Sequence, residues 1–343
     1  LLASIGWYGF WNYFMNTNDS KSIREVYPAV RKYLGLWKMG QDGLVVHRKG
    51  GWDWGDWGDN IDIEMLDNCW YYLALKAAIP MAAMSGYAND TLDYSKRMQS
   101  IKDKFSSVFW VENEQYFRSE KLVHPDDRAN AMAVVAGLAK PEQFSGIRKV
   151  LGNQMFASPY MEKYVLEALC KIGSETLALE RMKKRYSEMV QSSYSTLWEV
   201  WNGLKGGTIN HGWNAPNTIL SHYIAGLYPL QPGWSCYQVM PQMGELKQVG
   251  QIVPTIKGNI KVNHTVTGDS FITKLSSPNG TEAIIGIPKK HPIDLIRVNG
   301  KTIWKKGKYR NKVKGISGAG EDADFIKFSV EEGNWQFNAA LSK

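Results

Sequence analysis

Apolar residues recur at three- and four-residue intervals through the first two thirds of the chain and at two-residue intervals after that. Leu92, Met98, Ile101, Phe105 and Val108 follow the helical spacing in one stretch, and Tyr160, Tyr164, Leu166 and Leu169 in another. Helix starts are marked as well: Asp19-Ser20 precedes a segment running through Tyr27, and Ser174-Glu175, just after Gly173, opens one running through Met189. Pro28, Pro80, Pro125, Pro141 and Pro159 are expected near element starts or between elements, where a missing N–H is tolerated. A long helical series whose chemistry sits in the intervening loops predicts helical hairpins around a common axis, with the loops gathered at one end.

The character changes at Leu230-Gln231-Pro232-Gly233. Short β-branched and aromatic runs follow at 251–256, 259–266, 270–275, 281–287, 295–298 and 325–330, separated by Gly, Pro and Asn. Asn279-Gly280 and Asn299-Gly300 predict tight hairpin turns. The fold class expected is therefore multidomain α and β: a helical domain over residues 1–232 and a small antiparallel β-sandwich over 233–343.

Composition changes this picture in one respect. The 343 residues are 44% hydrophobic and 22% charged, ordinary for a globular protein, but they include 14 Trp and 17 Tyr. That aromatic load favours a ligand made of flat, hydroxyl-bearing rings. The net charge of +8 suggests nucleic acid until it is divided. Residues 234–343 hold 16 Lys and Arg against 9 Asp and Glu, and the rest holds 25 against 24. A phosphate-rich partner is not expected at the helical part. The lysine cluster Lys305, Lys306, Lys308, Arg310, Lys312 and Lys314 reads as a solvated edge strand, with an acidic polymer as the alternative ligand. No apolar run is long enough to span a membrane. Cys69, Cys170 and Cys236 are scattered without metal-ligand spacing and point to no metal site.

The chemistry concentrates in residues 50–64, where Asp53, Asp56, Asp59, Asp62 and Glu64 are interleaved with Trp52, Trp54 and Trp57. A solvated turn has no use for three indoles, and a core does not accept unpaired carboxylates at such spacing. A calcium loop would place small residues where the tryptophans stand. The remaining reading is a loop that packs rings on a sugar and handles a proton, since crowding and burial beside indoles favour a neutral carboxyl.

Two further stretches repeat that chemistry. Residues 194–214 place Glu199 between Trp198 and Trp201, followed by Asn210-His211-Gly212-Trp213-Asn214. Glu199 has no adjacent like charge, so it is expected to stay ionised and to take a proton from water; pairing with Arg or Lys is the plain structural reading. Residues 124–131 place Asp126, Asp127, Arg128 and Asn130 at the head of an apolar helix. Asp127 reads either as an N-cap or, with Arg128 and Asn130, as a grip on sugar hydroxyls.

In order, Gly55-Asp56-Trp57 with Asp62 and the Trp-Tyr-Tyr helix, Thr196-Leu197-Trp198-Glu199, and His211-Gly212-Trp213-Asn214-Ala215 resemble the bacterial α-L-rhamnosidases of glycoside hydrolase family 78. Pro232-Gly233-Trp234, the segment 254–260 and Ile287-Pro288 resemble the β-domain that follows the barrel there. The resemblance implies a six-hairpin (α/α) barrel, incomplete at its N-terminus in this sequence, that hydrolyses terminal α-L-rhamnose with inversion and without a cofactor. By spacing, Asp62 matches the family's acid, which is usually glutamate; Glu64 is the competing candidate. Glu199 matches the water-activating base, and Asp56 and His211 match substrate contacts.

The expectation is an inverting exo-glycosidase acting on plant glycosides or polysaccharides, with Asp62 or Glu64 as acid and Glu199 as base. Asp56, Trp54, Trp57, Asp127, Arg128, Trp198, His211 and Trp213 would contact the sugar. An inverting pair stands roughly 6.5 to 9.5 Å apart. The alternatives are another α/α-barrel glycosidase or lyase, or a sugar-binding module without turnover. A periplasmic or secreted location is expected, with the cytoplasm as alternative; the oligomeric state is not legible. The opening at Leu1, inside an apolar-aromatic pattern, suggests a part of a longer chain.

Overall fold

The computed structural model describes residues 2–50, 55–202, 216–310 and 312–341. The chain divides into two compact units, Leu1–Phe14 with Asp19–Pro216, and Met15–Asn18 with Asn217–Lys343.

The helices in chain order are α1 (Leu2–Ile5), α2 (Asn12–Thr17), α3 (Ser20–Leu34), α4 (Ile63–Met84), α5 (Ala88–Phe109), α6 (Asp127–Ala136), α7 (Phe144–Asn153), α8 (Pro159–Lys171), α9 (Glu175–Gln191) and α10 (Pro216–Ile219); α1 and α3 to α9 make up the first unit, α2 is divided after Phe14, and α10 belongs to the second unit from Asn217 on. One short hairpin, β1 (Trp110–Val111) with β2 (Tyr116–Phe117), interrupts the series. Alternate helices differ in kind. All of α6 and most of α4 and α8 are buried, and α6 packs against both of the others. Helices α3, α5, α7 and α9 bury one stripe and expose the other to water. The arrangement is an inner row backed by an outer row, with consecutive helices forming hairpins.

Local chemistry explains the boundaries. Asp19 caps α3 by accepting the Ser22 amide at 3.0 Å, as its position predicts. Pro28 and Pro80, expected near element starts, lie inside α3 and α4. Leu92 and Val108 fall on the exposed stripe of α5, whereas Tyr94, Ile101, Phe105 and Phe109 form its buried one. At Gly146 on α7, a Cβ would stand 1.8 Å from the Gln115 carbonyl oxygen, so glycine alone lets the helix seat against the β1–β2 turn. Among the described residues, no helix is long and apolar enough to cross a membrane.

The second unit contains β3 (Leu227–Pro229), β4 (Cys236–Val239), β5 (Gln248–Thr255), β6 (Gly258–Val266), β7 (Ser270–Ser277), β8 (Glu282–Pro288), β9 (Ile293–Val298), β10 (Lys301–Lys305), β11 (Lys308–Tyr309), β12 (Ile316–Glu321), β13 (Phe325–Val330) and β14 (Gly333–Leu341). Among the described residues they form a seven-stranded sheet, β11-β10-β9-β14-β7-β6-β5, and a five-stranded sheet, β12-β13-β8-β4-β3. Both sheets feed one core: Val262, Leu275 and Phe337 of the first pack with Ile285 and Phe328 of the second, the Phe328 and Phe337 rings standing 5.6 Å apart. This is a sandwich, as expected.

Two details depart from the sequence expectation and two follow it. Strand β8 pairs with β4 in parallel, an exception in otherwise antiparallel sheets. Asn299-Gly300 makes the tight turn from β9 to β10, with positive φ at both residues (45° and 82°). Asn279-Gly280 does not close a hairpin, because β7 and β8 belong to different sheets and the chain changes layer there. The lysine cluster lies along β10, β11 and the following loop, with β11 at a sheet edge and its side chains exposed, as a charge-protected edge requires.

Candidate functional site

The site grows from the N-termini of the three inner helices. Asp62, Asp126 and Ser158 are the N-cap residues of α4, α6 and α8. At each such end, free amides and the positive end of the helix dipole favour a carboxylate. Here these ends are cross-linked. Asp126 accepts the Arg128 amide at 3.0 Å on one oxygen and the Asp62 amide at 2.9 Å on the other. Asp62 accepts the amides of Met65 at 3.3 Å and Ser119 at 2.7 Å. Ser158 leaves its own helix uncapped and donates instead, through its hydroxyl and its amide (2.8 Å), to Asp56.

Arg128, wholly buried, holds the Gly-Asp-Trp loop to this belt. Its Nε donates to Asp126 at 2.7 Å, one terminal nitrogen reaches Asp56 at 3.3 Å and the Trp57 carbonyl at 3.4 Å, and the other reaches the carbonyls of Asp59 at 2.7 Å and Asn60 at 2.9 Å. A planar fork with five N–H groups suits this task, and lysine would not serve. Asn60 closes the loop by donating to the His124 and Pro125 carbonyls. The segment 55–60 is therefore fixed from below while Trp57, partly exposed, meets the edge of Tyr160 on α8 with ring centroids 6.3 Å apart.

The Glu199 stretch is tied to the same place. Trp201 donates its Nε1 to the Ala157 carbonyl at 2.8 Å, packs edge-on against Tyr186 at 5.1 Å, and carries the Arg185 guanidinium over its ring at 4.3 Å. Ala157 adjoins Ser158, the residue that holds Asp56. Glu199, two positions before Trp201, is half-buried, and Trp198 is buried. The first and second carboxylate motifs thus meet on the two residues 157 and 158.

Burial sets the carboxyl chemistry. Desolvation raises the Asp56 pKa against the opposing Ser158 and Arg128 contacts, and raises that of Asp62 against the Ser119 and Met65 amides. Asp126 is pushed up to about 6 by burial, with Arg128 pulling the other way. Like charge, which the sequence pattern suggested as a cause, contributes little: Glu64 is the smallest influence on Asp62.

Several expected roles change with these positions. Asp127 is not the cap of α6; Asp126 is, and Asp127 lies wholly buried with Arg181 at 2.7 Å. Arg128 and Asn130 are likewise buried, the latter exchanging hydrogen bonds with the Phe117 backbone. The Asp127 and Arg128 side chains are both enclosed by protein in this structure: Arg128 is bonded to Asp126, Asp56 and the loop carbonyls, and Asp127 to Arg181 through one oxygen, its Oδ1 lying buried without a hydrogen-bond partner. Of the two acid candidates, Asp62 is 1% exposed and caps α4, whereas Glu64 reaches the surface and pairs with Lys121. Trp54, His211 and Trp213 lie outside the described residues.

Sequence reasoning missed Ser158, Tyr160, Arg181 and Lys163. Ser158-Pro159 is a readable helix start, at the position on α8 that Asp62 and Asp126 occupy on α4 and α6, and that equivalence was the available signal. Arg181 joins Asp127 to Glu162, with Nε to Glu162 at 2.6 Å. Lys163 rests its ammonium over the rings of Tyr8 at 4.8 Å and Tyr164 at 5.0 Å, and burial lowers its pKa.

Comparison with known proteins agrees with this architecture. The family model for the bacterial α-L-rhamnosidase 6 hairpin glycosidase domain matches residues 3–227, and that for the bacterial α-L-rhamnosidase C-terminal domain matches residues 226–300. The chain belongs to the bacterial α-L-rhamnosidase family of six-hairpin glycosidases. It is 20% identical over 331 residues to an α-L-rhamnosidase of Alteromonas sp. (strain LOR), covering 85% of this chain and 35% of that protein. Among solved structures, the α-L-rhamnosidase from Dictyoglumus thermophilum superposes with a TM-score of 0.81 at 20% identity, covering 96% of this chain and 38% of its own. The Streptomyces avermitilis α-L-rhamnosidase complexed with L-rhamnose gives 0.77 at 16% identity, over 96% of this chain and 32% of that one. The chain thus spans about a third of the length of these relatives.

Proposed function

We propose that this chain supplies part of the catalytic unit of an α-L-rhamnosidase that releases terminal α-L-rhamnose with inversion. Family membership supports the reading, and one observation carries it to these residues: the Asp56 loop and the Glu199 loop are both fastened to Ala157-Ser158 at the N-terminal end of the inner helices. Two carboxylate-bearing loops that converge from 143 positions apart in sequence (199 less 56) have the layout that acid–base hydrolysis of a glycoside needs.

In this reading Glu199 takes a proton from the attacking water. The proton donor to the departing oxygen is Glu64 or Asp62. Glu64 has the carboxyl that a glycosidic oxygen can approach, whereas Asp62 would first have to give up its bonds to the Ser119 and Met65 amides. Asp56, pinned by Ser158 and Arg128, holds the loop that presents Trp57, and that indole packs against the apolar face of the sugar. The base and the acid should stand roughly 6.5 to 9.5 Å apart, leaving room for water. The substrate is expected to be a plant glycoside or polysaccharide, and the location periplasmic or secreted. A panel of nitrophenyl glycosides tested on the protein checks the assignment. Release from the α-L-rhamnoside and not from other sugars is expected; preferential release from another glycoside would refute it.

A further inference from the structure

The outer face of the seven-stranded sheet carries a groove of about 650 Å³ across β5, β6, β7 and β14. Strand register places its side chains in two rungs. One runs Gly250, Asn263, Lys274, Gln336, and the other Ile252, Lys261, Ser276, Asn334. The intervening residues Val262 and Leu275 point into the core, so the rungs face out.

Three properties of this face point to a ligand. Lys261 and Lys274 are diagonal neighbours on adjacent strands, a relation that sets Cα atoms about 7–8 Å apart. Neither has a carboxylate partner among the described residues, and no Asp or Glu lines the groove. Both lysines are exposed, so together they offer two ammonium groups on one face to an anion. The remaining groups are three amides and a hydroxyl, each able both to donate and to accept, which is what a row of sugar hydroxyls requires. Finally, Gly250 leaves the floor open beside Asn263: a Cβ there would stand 3.3 Å from the Asn263 Nδ2. Glycine inside a strand weakens it and often marks a close approach by a ligand.

We propose that this groove binds an anionic oligosaccharide, a chain of sugars bearing carboxylates, at a site separate from the catalytic loops. The choice of a sugar polymer over another polyanion rests on the glycosidase reading above. Nucleic acid is disfavoured by the surface itself. Neither rung carries an aromatic ring on which a base could stack, and Trp335, between them, packs toward the core with its Nε1 donating to the Glu331 carbonyl at 2.8 Å.

The test is calorimetric titration of the full chain with oligogalacturonate, with its methyl-esterified form, and with a single-stranded oligonucleotide. Binding is expected for the acidic sugar alone, weakening as salt rises. Lys261→Gln with Lys274→Gln should weaken it about tenfold, the sum of two modest exposed charge contacts, with circular dichroism unchanged. Lys306→Gln with Lys308→Gln on the edge strand should leave it as it was. Glu199→Gln should also leave it unchanged, so a failure of the catalytic assignment is told apart from a failure here. The proposal is overturned if the acidic sugar does not bind, if the esterified sugar or the oligonucleotide binds as well, or if the edge lysines rather than Lys261 and Lys274 govern affinity.

Discussion

Arg128 donates to Asp56 at 3.3 Å, across 72 positions of sequence, with neither side chain exposed to solvent. The contact fastens the loop that carries the most distinctive motif of the chain to the start of the second inner helix. Everything assigned to that loop depends on this arginine staying charged, planar and buried.

Replacing Arg128 with Lys should therefore be severe although charge is kept. The Asp126, Asp56, Trp57, Asp59 and Asn60 acceptors lose a fork that one ammonium cannot replace. Breaking a buried pair in this way costs about 3–5 kcal/mol. Urea denaturation of the helical unit measures it, and a loss below about 1 kcal/mol would place the arginine in a peripheral role.

Ser158→Ala makes a narrower cut. It removes the hydroxyl donated to Asp56 and keeps the amide donor, so a loss of about 1–3 kcal/mol is expected from one buried, charge-assisted hydrogen bond. Tryptophan fluorescence should report the change through Trp57, which stands on the same loop. An unaltered spectrum and midpoint would show that the Asp56 anchor is redundant.

The two acid candidates separate by leaving group. Glu64→Gln should depress hydrolysis of natural glycosides strongly while sparing aryl glycosides with good leaving groups, because those depart without a proton. Asp62→Asn should instead lower stability, since a cap bonded to Met65 and Ser119 is altered. The opposite pattern would transfer the acid role to Asp62.

His264 makes the β-unit sensitive to acid. It is buried, with Nε2 3.0 Å from the Ala225 carbonyl and Nδ1 2.9 Å from the Thr273 hydroxyl, and burial lowers its pKa to about 4. The unfolded value is about 6.5, so the unfolded chain binds the extra proton between these limits. The contribution is fully present above pH 6.5 and is lost as the pH falls toward 4, amounting to roughly 3 kcal/mol. Hydrogen exchange in β6 and β7 should show the wild type losing that much relative to His264→Gln between pH 7 and pH 4. A difference that stays constant over this range would contradict it.

What could be read from sequence followed from short-range pattern. Helix starts at Asp19 and Ser174, and strands at 259–266 and 325–330, were legible because caps and alternation are local signals. Strand β14, central in its sheet, was not, since Asn334, Gln336, Asn338 and two alanines weaken its β character and neighbours supply the stability instead. The Asn279-Gly280 turn was misread because a dipeptide cannot reveal which sheet the next strand joins. At the site, the carboxylate-rich motif was plain, but its sorting was not. Asp127, Arg128 and Asn130 read as ligand-gripping groups from sequence, whereas the structure buries all three, with Asp127 on Arg181, Arg128 on the loop carbonyls and Asn130 on Phe117. Ser158 and Trp201 matter through partners far along the chain, which no local pattern records.

The most direct test of the catalytic reading is the configuration of the first product, followed by proton NMR as the protein hydrolyses an aryl α-L-rhamnoside. The account predicts that β-L-rhamnose appears first and only later equilibrates with the α-anomer, and that Glu199→Gln abolishes its release even from a substrate with a very good leaving group. Initial release of α-L-rhamnose, or full activity in the Glu199 variant, would contradict it.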